Sequence, residues 1–197
     1  MNKEHNYLLD GVAALALAVL FPLYWIIEIG SHGDDFDLAS VINGLQVNDL
    51  LFLTVGLLNA YFYVSVRRIL FDHHHYSRLN IVFALMIGLC AVFYLGTFAI
   101  DALAGPNPSE SVQMLMFMLT IGSLVVFGVL DIVVGALLLM EGDRLSSLVR
   151  VFAIVSLVQG IVEITVVLSP LTLFLFPVST ALMAVYFLRE PEAVEIV

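Results

Sequence analysis

Cationic side chains are scarce in this chain. Lys3, Arg67, Arg68, Arg78, Arg144, Arg150 and Arg189 are all there are among 197 residues, against 17 Asp and Glu, for a net charge of −10. That balance excludes nucleic acid as a partner, because binding phosphates takes clustered Lys and Arg. Cysteine is scarcer still: Cys90 stands alone inside an apolar run, so no intramolecular disulfide forms, and it reads as a small core residue rather than a reactive thiol. The catalytic signatures of membrane proteins are missing as well. No apolar run holds a histidine, which excludes a haem held by two histidines from facing helices. No run pairs a nucleophilic Ser with a His base, and there is no HExxH sequence and no Walker A loop. The repeated arginines of a voltage sensor and a lysine able to form a retinal Schiff base are absent too. Transport, conduction, sensing and assembly remain. The expectation is a protein with no enzymatic activity and no cofactor; lipid chemistry by its carboxylates is the weakest of the open readings.

Apolar residues are abundant. They make up 61% of the chain and charged residues 12%, against roughly 45–50% and 25% in ordinary soluble domains. No polar stretch is long enough for a soluble core, so residues 1–197 read as one transmembrane domain. A helix needs about 20 mostly apolar residues to cross ~30 Å of hydrocarbon. Six runs qualify: Leu8–Gly30, Leu50–Val66, Ile81–Leu103, Val112–Met140, Leu148–Leu168 and Leu171–Leu188. The first follows one lysine with no small-residue cleavage site behind it, and reads as a retained helix rather than a removed signal. The fifth and sixth are divided only by Ser169 and Pro170, and a single long kinked helix is the competing reading there. The predicted fold class is an all-α integral membrane protein, a six-transmembrane-helix bundle with both termini cytoplasmic.

Orientation follows from the cations. Every one lies in a terminus or in the connections 67–80 and 141–150, which a six-span chain places on one face. The connections 31–49 and 104–111 hold Asp34, Asp35, Asp37, Asp49 and Glu110 and no cation. Lys and Arg mark the cytoplasmic side, which puts both termini inside and favours the plasma (inner) membrane. Tyr24 and Trp25, near the outer end of the first span, fit an interfacial aromatic belt. Three spans precede and three follow Pro106, the arithmetic of an inverted repeat. The residues do not carry it: Ile27-Glu28-Ile29 resembles Leu130-Asp131-Ile132 and Val162-Glu163-Ile164 equally.

Acidic side chains inside spans are costly, about 2.5–3.5 kcal/mol at a helix centre, and mark candidate sites. Asp131 lies in the fourth span and Glu163 in the fifth; Glu28 and Asp101 approach the outer ends of the first and third. Residues three and four apart share a helix face, so Ser156, Gln159, Gly160 and Glu163 form one stripe, and Thr120, Leu124, Gly128, Asp131 and Gly135 another. Glycines on such a stripe admit close backbones. Asn59, Ser179 and Thr180 add polarity near mid-span. Measured from each span's own midpoint, Asp131 falls roughly 7 Å inside and Glu163 roughly 7 Å outside, on the order of 14 Å apart. That spacing predicts a staged cation path rather than a shared proton or ion. Its residues are Glu163, Asp131, Gln159 and Asn59, with Glu28 and Asp101 at an acidic entrance. The alternative is a hydrogen-bonded packing role for both buried acids.

His73, His74 and His75 form a weak metal-binding candidate or a pH-sensitive run near pH 6.5. The plainer reading is a polar linker beside Arg67, Arg68 and Arg78. Function is expected to be transport or an ion channel for protons, a small cation or a cationic solute. The rival is a sensor or accessory subunit. Expected partners are the lipid bilayer and either a homo-oligomer or other membrane subunits.

Overall fold

The computed structural model describes residues 7–31, 47–74, 78–104, 109–141 and 145–189. Its helices are α1 (Leu8–Ser31), α2 (Val47–His74), α3 (Asn80–Cys90), α4 (Gly96–Ala104), α5 (Glu110–Met140), α6 (Ser147–Ile164) and α7 (Thr172–Leu188). A π-helical turn, Ala91–Leu95, joins α3 to α4 in one continuous segment, and a 3₁₀ turn, Ser169–Leu171, leads into α7. Among the described residues there is no strand, and six segments are long and apolar enough to cross a membrane. Large apolar side chains such as Ile81, Phe117 and Val167 face outward, which a water-soluble surface rarely tolerates.

The fifth and sixth segments are separate helices. The Ser146 side chain caps α6 by accepting from the Val149 N–H. The helix ends where Val166 takes a positive φ of 53°, a conformation a β-branched residue seldom adopts. Pro170 opens the following 3₁₀ turn, and α7 packs back against α6 and α1. The predicted fifth span is therefore four residues too long.

Contacts at the helix ends bring the cations together. The Tyr7 hydroxyl donates to Asp72, and its ring stacks on Phe187 at 6.3 Å. Arg68 meets Asp10 at 3.9 Å, and Arg78 meets Glu141 at 3.8 Å. These ties place the start of α1 and the ends of α2, α5 and α7 at one end of the bundle. Lys3, Arg144, the loop around Pro106 and Asp34, Asp35 and Asp37 lie outside the described residues. Burial and the Asp72 carboxylate push the Tyr7 phenol well above its ordinary range, so it remains a donor.

That end also corrects one boundary. The second span was expected to stop at Val66, before the arginines, but α2 runs on to His74. The extra turns let Arg68 reach Asp10, a buried carboxylate that also accepts from Ser65. Asp10 is 3% exposed and Arg68 32%, intermediate between a surface and a buried pair. Substitution Arg68→Met is therefore expected to destabilise by about 1–2 kcal/mol, above the ~1 kcal/mol ceiling of exposed pairs and below the ~3–5 of buried ones. Thermal unfolding in detergent measures it, and an unchanged midpoint would mean that the Ser65 hydroxyl suffices.

Candidate functional site

The most extensive helix contact is between α5 and α6, and glycine makes it. A Cβ on Gly128 would sit 2.8 Å from the Gly160 carbonyl oxygen, and one on Gly135 would sit 2.6 Å from the Ala153 carbonyl oxygen. Gly160 in turn lies against the Gly128 carbonyl and the Ile132 backbone nitrogen. At such separations only hydrogen fits between the two backbones. The polar stripes read from sequence thus face each other, and Ser156, Gln159, Glu163, Ser123 and Asp131 are all buried.

One amide links the two acids. Gln159 Nε2 donates to Asp131 Oδ2 at 2.9 Å and to Glu163 Oε1 at 3.0 Å. These bonds hold the two carboxylate oxygens within about 6 Å of each other. The expected 14 Å separation is wrong, and the spacing no longer argues for a staged path. The cause is unequal length: α5 has 31 residues and α6 has 18, so their midpoints do not share a depth. Gly128 opposite Gly160 and Asp131 opposite Gln159 set the register, in which Asp131 and Glu163 differ by about one turn, ~6 Å.

Both acids line a partly open cavity of about 320 Å³ bordered by α1, α2, the π turn, α5, α6, the 3₁₀ turn and α7. Asn59 and Tyr63 come from α2, and Phe93 and Tyr94 from the π turn. π-helical turns alter side-chain direction within an otherwise α-helical segment and recur at functional sites. Tyr94 packs over Gly56, where a Cβ would enter its ring. Trp25, read as part of an interfacial belt, lines this cavity, while Tyr24 packs on Phe52 at 5.3 Å. Phe21 and Phe176 pair at 4.5 Å and close one side. Thr120 reaches the cavity too, but its hydroxyl donates back to the Met116 carbonyl.

Four buried polar atoms of the lining have no hydrogen-bond partner: Asn59 Oδ1, Gln159 Oε1, Glu163 Oε2 and Thr172 Oγ1. Buried polar groups without partners are uncommon, and these four belong to residues that line one cavity. Among the described residues, no Lys, Arg or His contributes to the lining.

Of the residues singled out in the sequence, Asp131, Glu163, Gln159 and Asn59 meet at this cavity; Glu28 and Asp101 do not. Glu28 accepts from Asn48 Nδ2 at the end of the bundle away from the arginines. His75 and the side chains of His73 and His74 lie outside the described residues, and among those residues no cluster of His, Cys, Asp and Glu could hold a metal ion. Sequence reasoning missed the aromatic wall and Asp10. Asp10 carried a signal, as an acid three residues into an apolar run, whereas the aromatics carried none that separates a cavity wall from packing. Compared with family models, with curated proteins and with solved structures, the chain matches none of them.

Proposed function

We propose that this chain is a small transport protein or channel of the inner membrane, with both termini cytoplasmic, that passes protons, a small cation or a cationic solute. The observation that carries this reading is the pair Asp131 and Glu163, tied by one amide at the wall of a cavity whose lining, among the described residues, holds no basic side chain. Two carboxylates drawn together away from water need a positive partner or a proton, and exchange of one for the other at a single site couples binding to release. Gln159 fixes their spacing, Asn59 lines the same space, and Glu28 with Asp101 attract cations at the opposite end from the arginines. The seven cations on one face support the orientation.

Reconstitution into liposomes tests the reading. Wild-type protein is expected to dissipate an imposed proton or cation gradient, while Glu163→Gln and Asp131→Asn lower the rate at least tenfold. Flux indistinguishable from protein-free liposomes would sink the proposal.

An accessory subunit is the second reading, favoured by the first half of α5. Met114, Leu115, Phe117 and Met118 are all exposed there, on a helix that overhangs α6 by several turns. Co-purification of unrelated membrane subunits after mild extraction would favour that role, and a clean homo-oligomer would count against it.

A further inference from the structure

Donors and acceptors at the cavity do not balance, and the imbalance describes a ligand. Gln159 has two amide hydrogens, and both are engaged by the carboxylates. What remains without a partner is Gln159 Oε1, Asn59 Oδ1 and Glu163 Oε2, all carbonyl or carboxyl oxygens, and the Thr172 hydroxyl. Pro177, lacking an N–H, also leaves the carbonyl of the lining residue Leu173 without its helical donor. The four side-chain atoms have almost no surface open to the cavity, so an occupant reaches them only by turning their side chains toward it, and must then bring several hydrogen-bond donors. Beside two carboxyl groups, it should bring positive charge as well.

The walls and the volume narrow this further. Trp25, Phe93, Tyr94 and Phe127 present aromatic surface, which suits an apolar body and attracts a cation lying over a ring face. About 320 Å³ is the lower end of the range for small-molecule sites and far more than a bare ion fills. A quaternary ammonium has charge and bulk but no N–H, and would leave the same oxygens unpaired. We propose that the cavity binds an organic cation carrying several N–H groups, a primary ammonium or amidinium, on a body of about one aromatic ring. Its N–H groups, three in an ammonium and four in an amidinium, are shared among Glu163, Asp131, Gln159 Oε1 and Asn59 Oδ1, and its body lies against the aromatic wall. This rests on the transport reading above and names the class of solute.

Trp25 is the only tryptophan in the chain and lines the cavity, so its emission reads occupancy directly. Phenethylammonium added to the purified protein in detergent is expected to change that emission saturably. Benzyltrimethylammonium should bind at least tenfold more weakly, and 2-phenylethanol, the same body without charge, should give no saturable change. Glu163→Gln and Asn59→Leu should each weaken phenethylammonium at least tenfold. A readout on the unsubstituted protein guards against variants that fail to fold: phenethylammonium should raise the thermal midpoint, as any ligand of the folded state does, and the quaternary salt should not. Equal affinity for the quaternary salt would overturn N–H recognition and leave a cation site standing. Ion flux in liposomes with no response to either organic cation would overturn the organic solute and keep the transport reading. Equal binding of the neutral alcohol together with absent flux would overturn both.

Discussion

Gln159→Leu is expected to lower the thermal midpoint by about 6–12 °C. Leucine fills similar space but donates nothing, so both carboxyl groups lose the bond that ties them. An abandoned buried polar group costs about 1–3 kcal/mol, and two together come to about 3 kcal/mol, at about 2–4 °C for each in a chain of this size. The reporter is built in: Cys90 is the only thiol and is buried, so a thiol-reactive dye lights up only on unfolding. The triple variant Asp131→Leu, Gln159→Leu, Glu163→Leu should behave oppositely, recovering the wild-type midpoint or exceeding it, because removing a whole buried polar set is nearly neutral where removing one member is not. It should transport nothing. A triple variant less stable than Gln159→Leu alone would show the trio to be a packing device, and an unaltered Gln159→Leu would show that the amide bridge does not form. Groups that lower stability and are needed for flux are what a transport site should contain.

Periodicity made one half of this site readable and left the other half dark. Helical spacing alone put Gln159, Gly160 and Glu163 on one face and Gly128, Asp131 and Gly135 on another, and those faces meet. Spacing along one helix says nothing about its height against a neighbour. The overhang of α5 displaced its midpoint, and with it the inferred depth of Asp131. Hydropathy likewise ended the second span at Val66, before Arg67, because charge ends an apolar run, although the backbone hydrogen bonding of α2 continues and delivers Arg68 to Asp10. The aromatic wall depends on the π turn, which redirects Phe93 and Tyr94 and has no signature in the residues of Ala91–Leu95. Trp25 looked interfacial by position, and only the packing of α1 shows that it borders the cavity.

The register that brings Asp131 beside Gln159 depends on Gly160, and one substitution made at two positions isolates that dependence. Gly→Ala inside a helix normally gains up to about 1 kcal/mol of backbone preference. At Gly122 nothing lies within 4 Å of the added carbon, so Gly122→Ala should raise the midpoint by about 2–4 °C. At Gly160 the same carbon runs into the Gly128 carbonyl oxygen and sits 2.8 Å from the Ile132 nitrogen, both backbone atoms that no rotamer can clear. Overpacking of this kind costs about 1–3 kcal/mol and exceeds the preference gained, so Gly160→Ala should lower the midpoint by about 4–8 °C. The two helices must part at the residues adjoining Gln159 and Asp131, which stretches the amide bridge. Flux should therefore fall with Gly160→Ala and hold with Gly122→Ala, although neither substitution touches a polar group. Equal behaviour of the two variants would mean that α5 and α6 do not meet in this register, and the paired carboxyl site would fall with it.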